Sequence, residues 1–542
     1  MKKVLSVLIL AAVLVMPAML SAGGGSQASG TQRTAAKADS PYAVPKFDPP
    51  EKFTIFWRLN HKATATITDY AEMTLFQEYK KRFGFDFEFH HPALDQHEAG
   101  FNLMRASGDF PDFVYWEGWT NIANGVESAF REGLAVDITD YVTPHNSPHF
   151  TKILQEDPSI RKHVVTDSGR FYGYPLLRYK QPMQGVWGFM LREDWLHKVG
   201  MRVEDIKSTD DLHRVLTLFK NSNINGDGRT VYPWMAKNRE GGELRRAVLM
   251  WGISFGFYPK NGKIHYGPFD PEYRDAITTL ARWYNEGLID PDFATTDLKA
   301  GDAMMLNGTS GFYWGETGGI SAMYMTTWRD SNPQAKVVGI STPTATRDGI
   351  HYTNSNDILY NGVALAISKT NKFPVESVRF MDWGYSHEGE LLQNFGPEGI
   401  TYTMVNGRPK LTDYVTNNQN GLSIDNAIAR HALGSMQGPF IFNYDIREQR
   451  MLFFDWQRES VSRWNLMTDI QMPFVTPTQE ESRRVSQIMA DITTYSNEMF
   501  ERFIMGREAL SNFDAYYANL RRMGIEEAIN IWQAAYDRWD RR

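Results

Sequence analysis

The sequence predicts an α/β chain with a parallel sheet in its first part and a helical C-terminal region. Three observations predict it. From Phe53 onward short apolar strands alternate with amphipathic helices; Ala106-Ser107-Gly108-Asp109-Phe110-Pro111-Asp112-Phe113-Val114-Tyr115-Trp116 ends a helix, turns and enters an apolar strand; and strands become rare beyond Arg408. Regular alternation of strand and helix is how a parallel sheet crossed by helices is written in sequence.

The elements follow in order. The pattern predicts a strand from Phe53 to Trp57, a helix from Tyr70 to Phe83, a strand from Asp86 to His90, a helix from Ala99 to Ala106 and a strand from Phe113 to Tyr115. Gly108 supplies backbone freedom past the helix, Asp109 suits a turn, and Pro111 keeps Phe110 extended. Gly173-Tyr174-Pro175 and Trp187 to Arg192 read as further strands, leading to helices at 194–198, 209–221 and 271–286. Thr478 to Trp539 reads as helical, with Gly506 and Gly524 as breaks.

Lys2 and Lys3 precede an apolar run from Val4 to Val15, Pro17 breaks it, and Leu20-Ser21-Ala22 offers a cleavage site, so residues 1–22 read as a secretory signal peptide. Gly23 stands where a lipidated cysteine would have to be, and the chain has no cysteine. The expected protein is exported, without a stable membrane anchor, and periplasmic. Residues 23–45, rich in Gly, Ser, Ala and Thr, read as a flexible tether. What remains, roughly 520 residues, is ample for two lobes that rest on their cores rather than on disulfides.

A net charge of −7 with interspersed signs argues against nucleic acid as a partner. The 15 Trp and 25 Tyr suggest surfaces that stack on weakly polar faces such as sugar rings. In an open α/β sheet ligands sit beyond the carboxyl ends of the strands, which marks Trp116, Glu117 and Trp119 as candidates. Core packing of Trp116 is the competing reading.

Several segments together resemble one family, the extracellular solute-binding proteins of ABC importers, in its large branch similar to alginate-oligosaccharide- and maltose-binding proteins. They are the Ala106 to Asp112 turn, Glu132-Gly133-Leu134 through Asp140-Tyr141, Gly169 to Pro175, Arg192-Glu193-Asp194-Trp195-Leu196, Glu286 to Pro291 and Ile525 through Tyr536. The resemblance implies a two-lobed periplasmic-binding-protein fold with a hinge, an oligosaccharide ligand, permease subunits as partners, and a monomer. Lobe 1 is expected at 46–186 with 336–420, and lobe 2 at 187–335 with 421–542.

The resemblance also implies site residues: Trp116 after the first-lobe turn, Tyr313 or Trp314 after Asn307-Gly308 in the second lobe, and Asn60 and His61 after the first strand. Trp187 and Trp456 are further candidates that read first as core. Carbohydrate chemistry adds Asn354 and Glu117 as hydroxyl partners, while Arg58, Arg178, Lys180 or Arg192 could read a uronate.

No cofactor is expected. Asn223-Ile224-Asn225-Gly226-Asp227-Gly228-Arg229 has alternating oxygen side chains like a calcium loop, with Asn223, Asn225 and Asp227 as ligands. Asp227 is the lone carboxylate, and Val231 and Tyr232 replace the acidic pair that the family resemblance implies, so calcium is doubtful. The opposing class is a glycoside hydrolase or lyase using Glu117, Glu316 or Asp357, since carboxylates about 5 to 10 Å apart would be needed; Glu316 counts equally as a ligand contact. A cell-surface peptide-binding protein is a third class. No nucleophile elbow, zinc helix or P-loop supports an enzyme.

Overall fold

The computed structural model describes residues 42–541 apart from 94–95, 120–121, 123, 181–184 and 238–241. The signal-peptide expectation, and all but the last residues of the expected tether, lie outside the described residues. Residues 42–45, expected in the tether, lie among the described residues. Tyr42 hydrogen-bonds the Arg379 carbonyl at 3.5 Å and meets the His149 ring edge-on, while Val44 packs on the first core.

Strands β1 (Glu51–Phe56), β2 (Phe85–His90) and β3 (Phe113–Trp116) form the expected parallel unit, with β1 in the middle. The strand Ala364–Ile367 then runs antiparallel between β3 and β4 (Tyr174–Pro175), completing the order β2, β1, β3, Ala364–Ile367, β4. Apolar residues on both faces of these strands fit a sheet covered on both sides. The turn that opens β3 is fixed by Asp112, whose carboxylate accepts hydrogen bonds from the Thr54 amide at 2.8 Å and hydroxyl at 2.9 Å. Gly108 is left-handed, with φ 71°, as the helix end requires.

The second sheet is smaller. Strand β5 (Trp187–Arg192) lies between Phe312–Glu316 and Val337–Gly339, antiparallel to both. One face packs against the helices Thr209–Asn221, Glu272–Asn285 and Gln479–Ile504; on the other, Met190 and Tyr313 face the helix Asp455–Trp464. Trp464 donates its indole N–H to the Ile340 carbonyl at 3.0 Å, and Ser460 accepts from the Gly339 amide at 2.7 Å.

These cores correct the expected lobe boundaries. Val337–Gly339 belongs to the second sheet, so the crossing back to lobe 1 begins after Ile340 rather than at 336. Ile424 through Ile446, assigned to lobe 2 in sequence, pack into the first core with Phe395 and Leu433. The reason is that short apolar runs do not declare their partners: Ile424, Ala427 and Ile428 suit either core. The helical tail from Gln479 onward does cover lobe 2, through Ile488, Ile492, Phe500 and Phe503.

Asp112 holds two donors of β1, whereas Asp109 is exposed. Asp112→Ala is expected to lower unfolding stability by about 1 to 3 kcal/mol, and Asp109→Ala by less than about 0.5 kcal/mol. Chemical denaturation of both variants measures the contrast.

Candidate functional site

Three crossings join the lobes, and a cavity of about 330 Å³ lies where the first two pass. Arg178 precedes the first crossing and Trp187 ends it; Asn354 to Asn361 belong to the second; Trp314 comes from the second sheet. Gln437 closes the lobe 1 side and Gln471 follows the third crossing. Both lobes therefore contribute walls.

Strand alternation decides which aromatic faces the cavity. In Phe312–Glu316 neighbouring side chains point to opposite faces. Tyr313 is fully buried beneath the sheet, its hydroxyl 2.8 Å from Ser321 Oγ and beside Met190 Sδ. Trp314 points the other way, meets Phe189 edge-on at 5.0 Å and lines the cavity with half-buried Trp187. The Arg246 guanidinium lies 4.9 Å over the Trp314 ring. Its Nη1 is 3.5 Å from Ser355 Oγ.

Amides supply the polar part. Asn354 donates to Ser254 Oγ at 3.1 Å, and Asn361 donates to Gln437 Oε1 at 3.2 Å. The side-chain oxygens of Asn356, Asn361 and Gln471 are buried without a hydrogen-bond partner among the described residues. Buried acceptors left unmatched are costly, so their gathering around one cavity marks a place where donors of a ligand fit.

Other sequence candidates lie elsewhere. Trp116 is only 7% exposed, stacked on Phe101 at 3.8 Å and against the His97 ring at 4.5 Å; it belongs to the first core, not to the cavity wall. The helix His97–Ser107 reaches over the end of β3 and covers it, which the turn signal could not reveal. Trp119 is buried and donates to the Ala364 carbonyl at 3.0 Å, and Trp456 is buried under the second sheet. Asn60 accepts from the Lys62 amide within its own loop, beside exposed His61. Neither lines the cavity.

The three carboxylates weighed for catalysis are all ion-paired. Glu117 meets Arg58 at 2.5 Å; Glu316 meets Lys62 at 2.8 Å; Asp357 meets Arg178 at 3.1 Å and Arg447 at 2.7 Å. Lys62 also reaches Asp425, at 2.7 Å. Burial disfavours charge on Arg58, yet Glu117 outweighs it and holds the guanidinium above its ordinary range. Of the four basic residues proposed as uronate readers, only Arg178 lines the cavity: Lys180 pairs with Glu156 and Arg192 with Asp194.

The calcium-like loop is closed on itself. Asn223 Oδ1 accepts from the Gly228 amide at 2.8 Å, Asn225 donates to the Gly308 carbonyl at 2.5 Å, and Asp227 pairs with Arg229 at 2.6 Å. Val231 turns inward and is buried. Among the described residues no three His, Cys, Asp or Glu side chains are grouped so as to hold a metal.

Residues 65–391 match the bacterial extracellular solute-binding protein family, and the chain belongs to it. The chain is 21% identical over 540 residues to the fructooligosaccharide ABC transporter substrate-binding protein FusA of Streptococcus pneumoniae serotype 4, spanning 94% of this chain and 95% of that one. It is 26% identical over 228 residues to the polygalacturonan/rhamnogalacturonan-binding protein YtcQ of Bacillus subtilis, spanning 40% and 41%. Among solved structures it is similar to the alginate-binding protein AlgQ2 without calcium ion, with TM-score 0.77, 24% identity and coverage of 92% and 100%. It is also similar to S. pneumoniae FusA in complex with kestose, with TM-score 0.74, 19% identity and coverage of 90% and 99%. The two-lobed α/β fold is thereby that of solute-binding proteins.

Burial, reinforced by Arg58, lowers His97 to about 4. The His97 ring, tilted against Trp116, is therefore expected to stay neutral down to about pH 4, and an NMR titration of its ring protons reads this directly. A midpoint near the ordinary value of about 6.5 would mean that water reaches Trp116.

Proposed function

We propose that this chain is the substrate-binding component of a carbohydrate ABC importer, holding an oligosaccharide between its lobes for delivery to membrane permease subunits. The observation that carries the reading is the inter-lobe cavity, with Trp187 and Trp314 beside buried, unmatched amide oxygens. A sugar presents C–H faces for the rings and hydroxyl donors for the amides. The transport relatives named above support the class of ligand. Walls from both lobes give a ligand higher affinity for the closed arrangement, which is what shifts a population toward closure.

We infer binding without chemistry. Glu117, Glu316 and Asp357 are each engaged by a cation of the chain, so their oxygens are already taken up by partners within the fold. Among the described residues no helix is long and apolar enough to cross a membrane, and the family is extracellular. Export through the leader at 1–22, residence in a periplasm and a monomeric state are part of the same reading. So is a calcium loop that works without its metal, because Arg229 already neutralises Asp227.

A thermal-shift screen of the full chain against oligosaccharides tests it: a true ligand at a hundred times its Kd adds about 2.7 kcal/mol of stability. The ligand should be recovered uncut, and Trp187→Ala should weaken it roughly tenfold, about 1.4 kcal/mol. Shortened products would assign the chain to the hydrolases instead.

Removing divalent metal should leave the melting temperature unchanged, and Asp227→Ala should be nearly neutral, within about 0.5 kcal/mol. A large drop on chelation, reversed by calcium, would show a working metal loop.

A further inference from the structure

One end of the cavity is built around a shared charge. Asp357 takes two guanidiniums, Arg178 through Nε at 3.1 Å and Arg447 through Nη2 at 2.7 Å. These three side chains together carry one more positive charge than negative. Arg178 is 8% exposed, and its Nη1 is buried with no hydrogen-bond partner among the described residues. The side chain cannot easily swing away. Its backbone N–H is tied to the Leu359 carbonyl at 3.0 Å, and its guanidinium lies 5.8 Å from the centre of the Phe442 ring.

Crowding of cations shows in Arg447 as well. Burial pulls it below its ordinary range, Asp357 opposes this, and Arg178 adds to the lowering. A buried guanidinium donor without an acceptor is costly, and a carboxylate is the group whose two oxygens match its fork. The other ionisable residues on the wall are Arg246, over the ring of Trp314, and Glu243. Neither lies on Asp357 among the ion pairs of the described residues. A hydroxyl could fill the vacant position at Arg178 Nη1, but it would bring no negative charge to a carboxylate already shared by two guanidiniums.

We propose that the ligand is an acidic oligosaccharide and that Arg178 reads a uronate carboxylate on one of its sugars. The inference rests on the carbohydrate reading and narrows it. Arg178 sets specificity here; stacking on Trp187 and Trp314 is common to acidic and neutral sugars.

Calorimetry of the full chain tests it with trigalacturonate and trimannuronate, a sulfated trisaccharide and neutral maltotriose and kestose. At least one uronate should bind ten times or more tighter than either neutral sugar, with an affinity that falls as salt is raised while that of a neutral sugar does not. Arg178→Gln should lose at least tenfold for the uronate and no more than a few-fold for a neutral ligand, and Arg178→Lys should lose less. Equal losses for both ligands would show a structural role only and overturn the assignment. Should Arg178→Gln fail to fold, the salt response of the unsubstituted protein and the Arg178→Lys selectivity decide. Preference for the sulfated sugar would overturn the carboxylate. Tight binding of a neutral sugar alone would overturn the inference while leaving the carbohydrate reading intact, and binding of none would remove both.

Discussion

The backbone ladder of Ala364–Ile367 is the constraint on which the rest depends. This strand pairs with β3 on one side and with the two residues of β4 on the other, so the first sheet is complete only when the chain has returned from lobe 2. Its return also fixes the approach to it. Val363 accepts from the Leu176 amide and Leu359 from the Arg178 amide, both at 3.0 Å, which lays the segment 354–361 along the chain leaving lobe 1. The cavity wall is thus a by-product of sheet completion, made of backbone that has to pass there anyway.

Charge is handled by pairing rather than by exposure. Lys62 sits between Glu316 and Asp425 and donates to the Ser435 carbonyl, while Arg450 holds Asp425 from the other side at 2.7 Å and 2.8 Å. Such buried networks add little net stability, since desolvation offsets attraction, but they are demanding in geometry. Here they tie the loop after β1, the end of Phe312–Glu316 and the segment 424–450 into one arrangement.

Sequence carried the periodic features far and the non-local ones poorly. The parallel unit, β5, the helix Thr209–Asn221 and the glycine breaks of the tail were legible because period, turn residues and caps are local. Trp314 was legible as one of two neighbours; only the register with Phe189 and Met190 separates it from Tyr313. Trp116 was misplaced because the residues that cover it, His97 and Phe101, lie on a helix whose packing angle no local pattern states. Gln437 and Gln471 had no signal at all: a single amide in an irregular segment looks the same in solvent and in a cavity. Arg178 was named in sequence among four basic residues, and its distinction arises from Asp357 and Arg447, which meet it only once the chain has come back through the second crossing.

The indole of Trp464 has a consequence for how this chain can change over generations. A Cβ on Gly188 would come within 2.3 Å of the ring, and one on Gly339 within 2.6 Å, although these glycines stand on different strands far apart in the chain. Neither glycine is free to drift while the tryptophan remains; its loss would release Gly188, whereas Ser460 Cβ, 2.7 Å from a Cβ on Gly339, would still hold the other. Codons that share no neighbourhood in the gene are thus bound into a heritable unit by one ring and the helix that carries it.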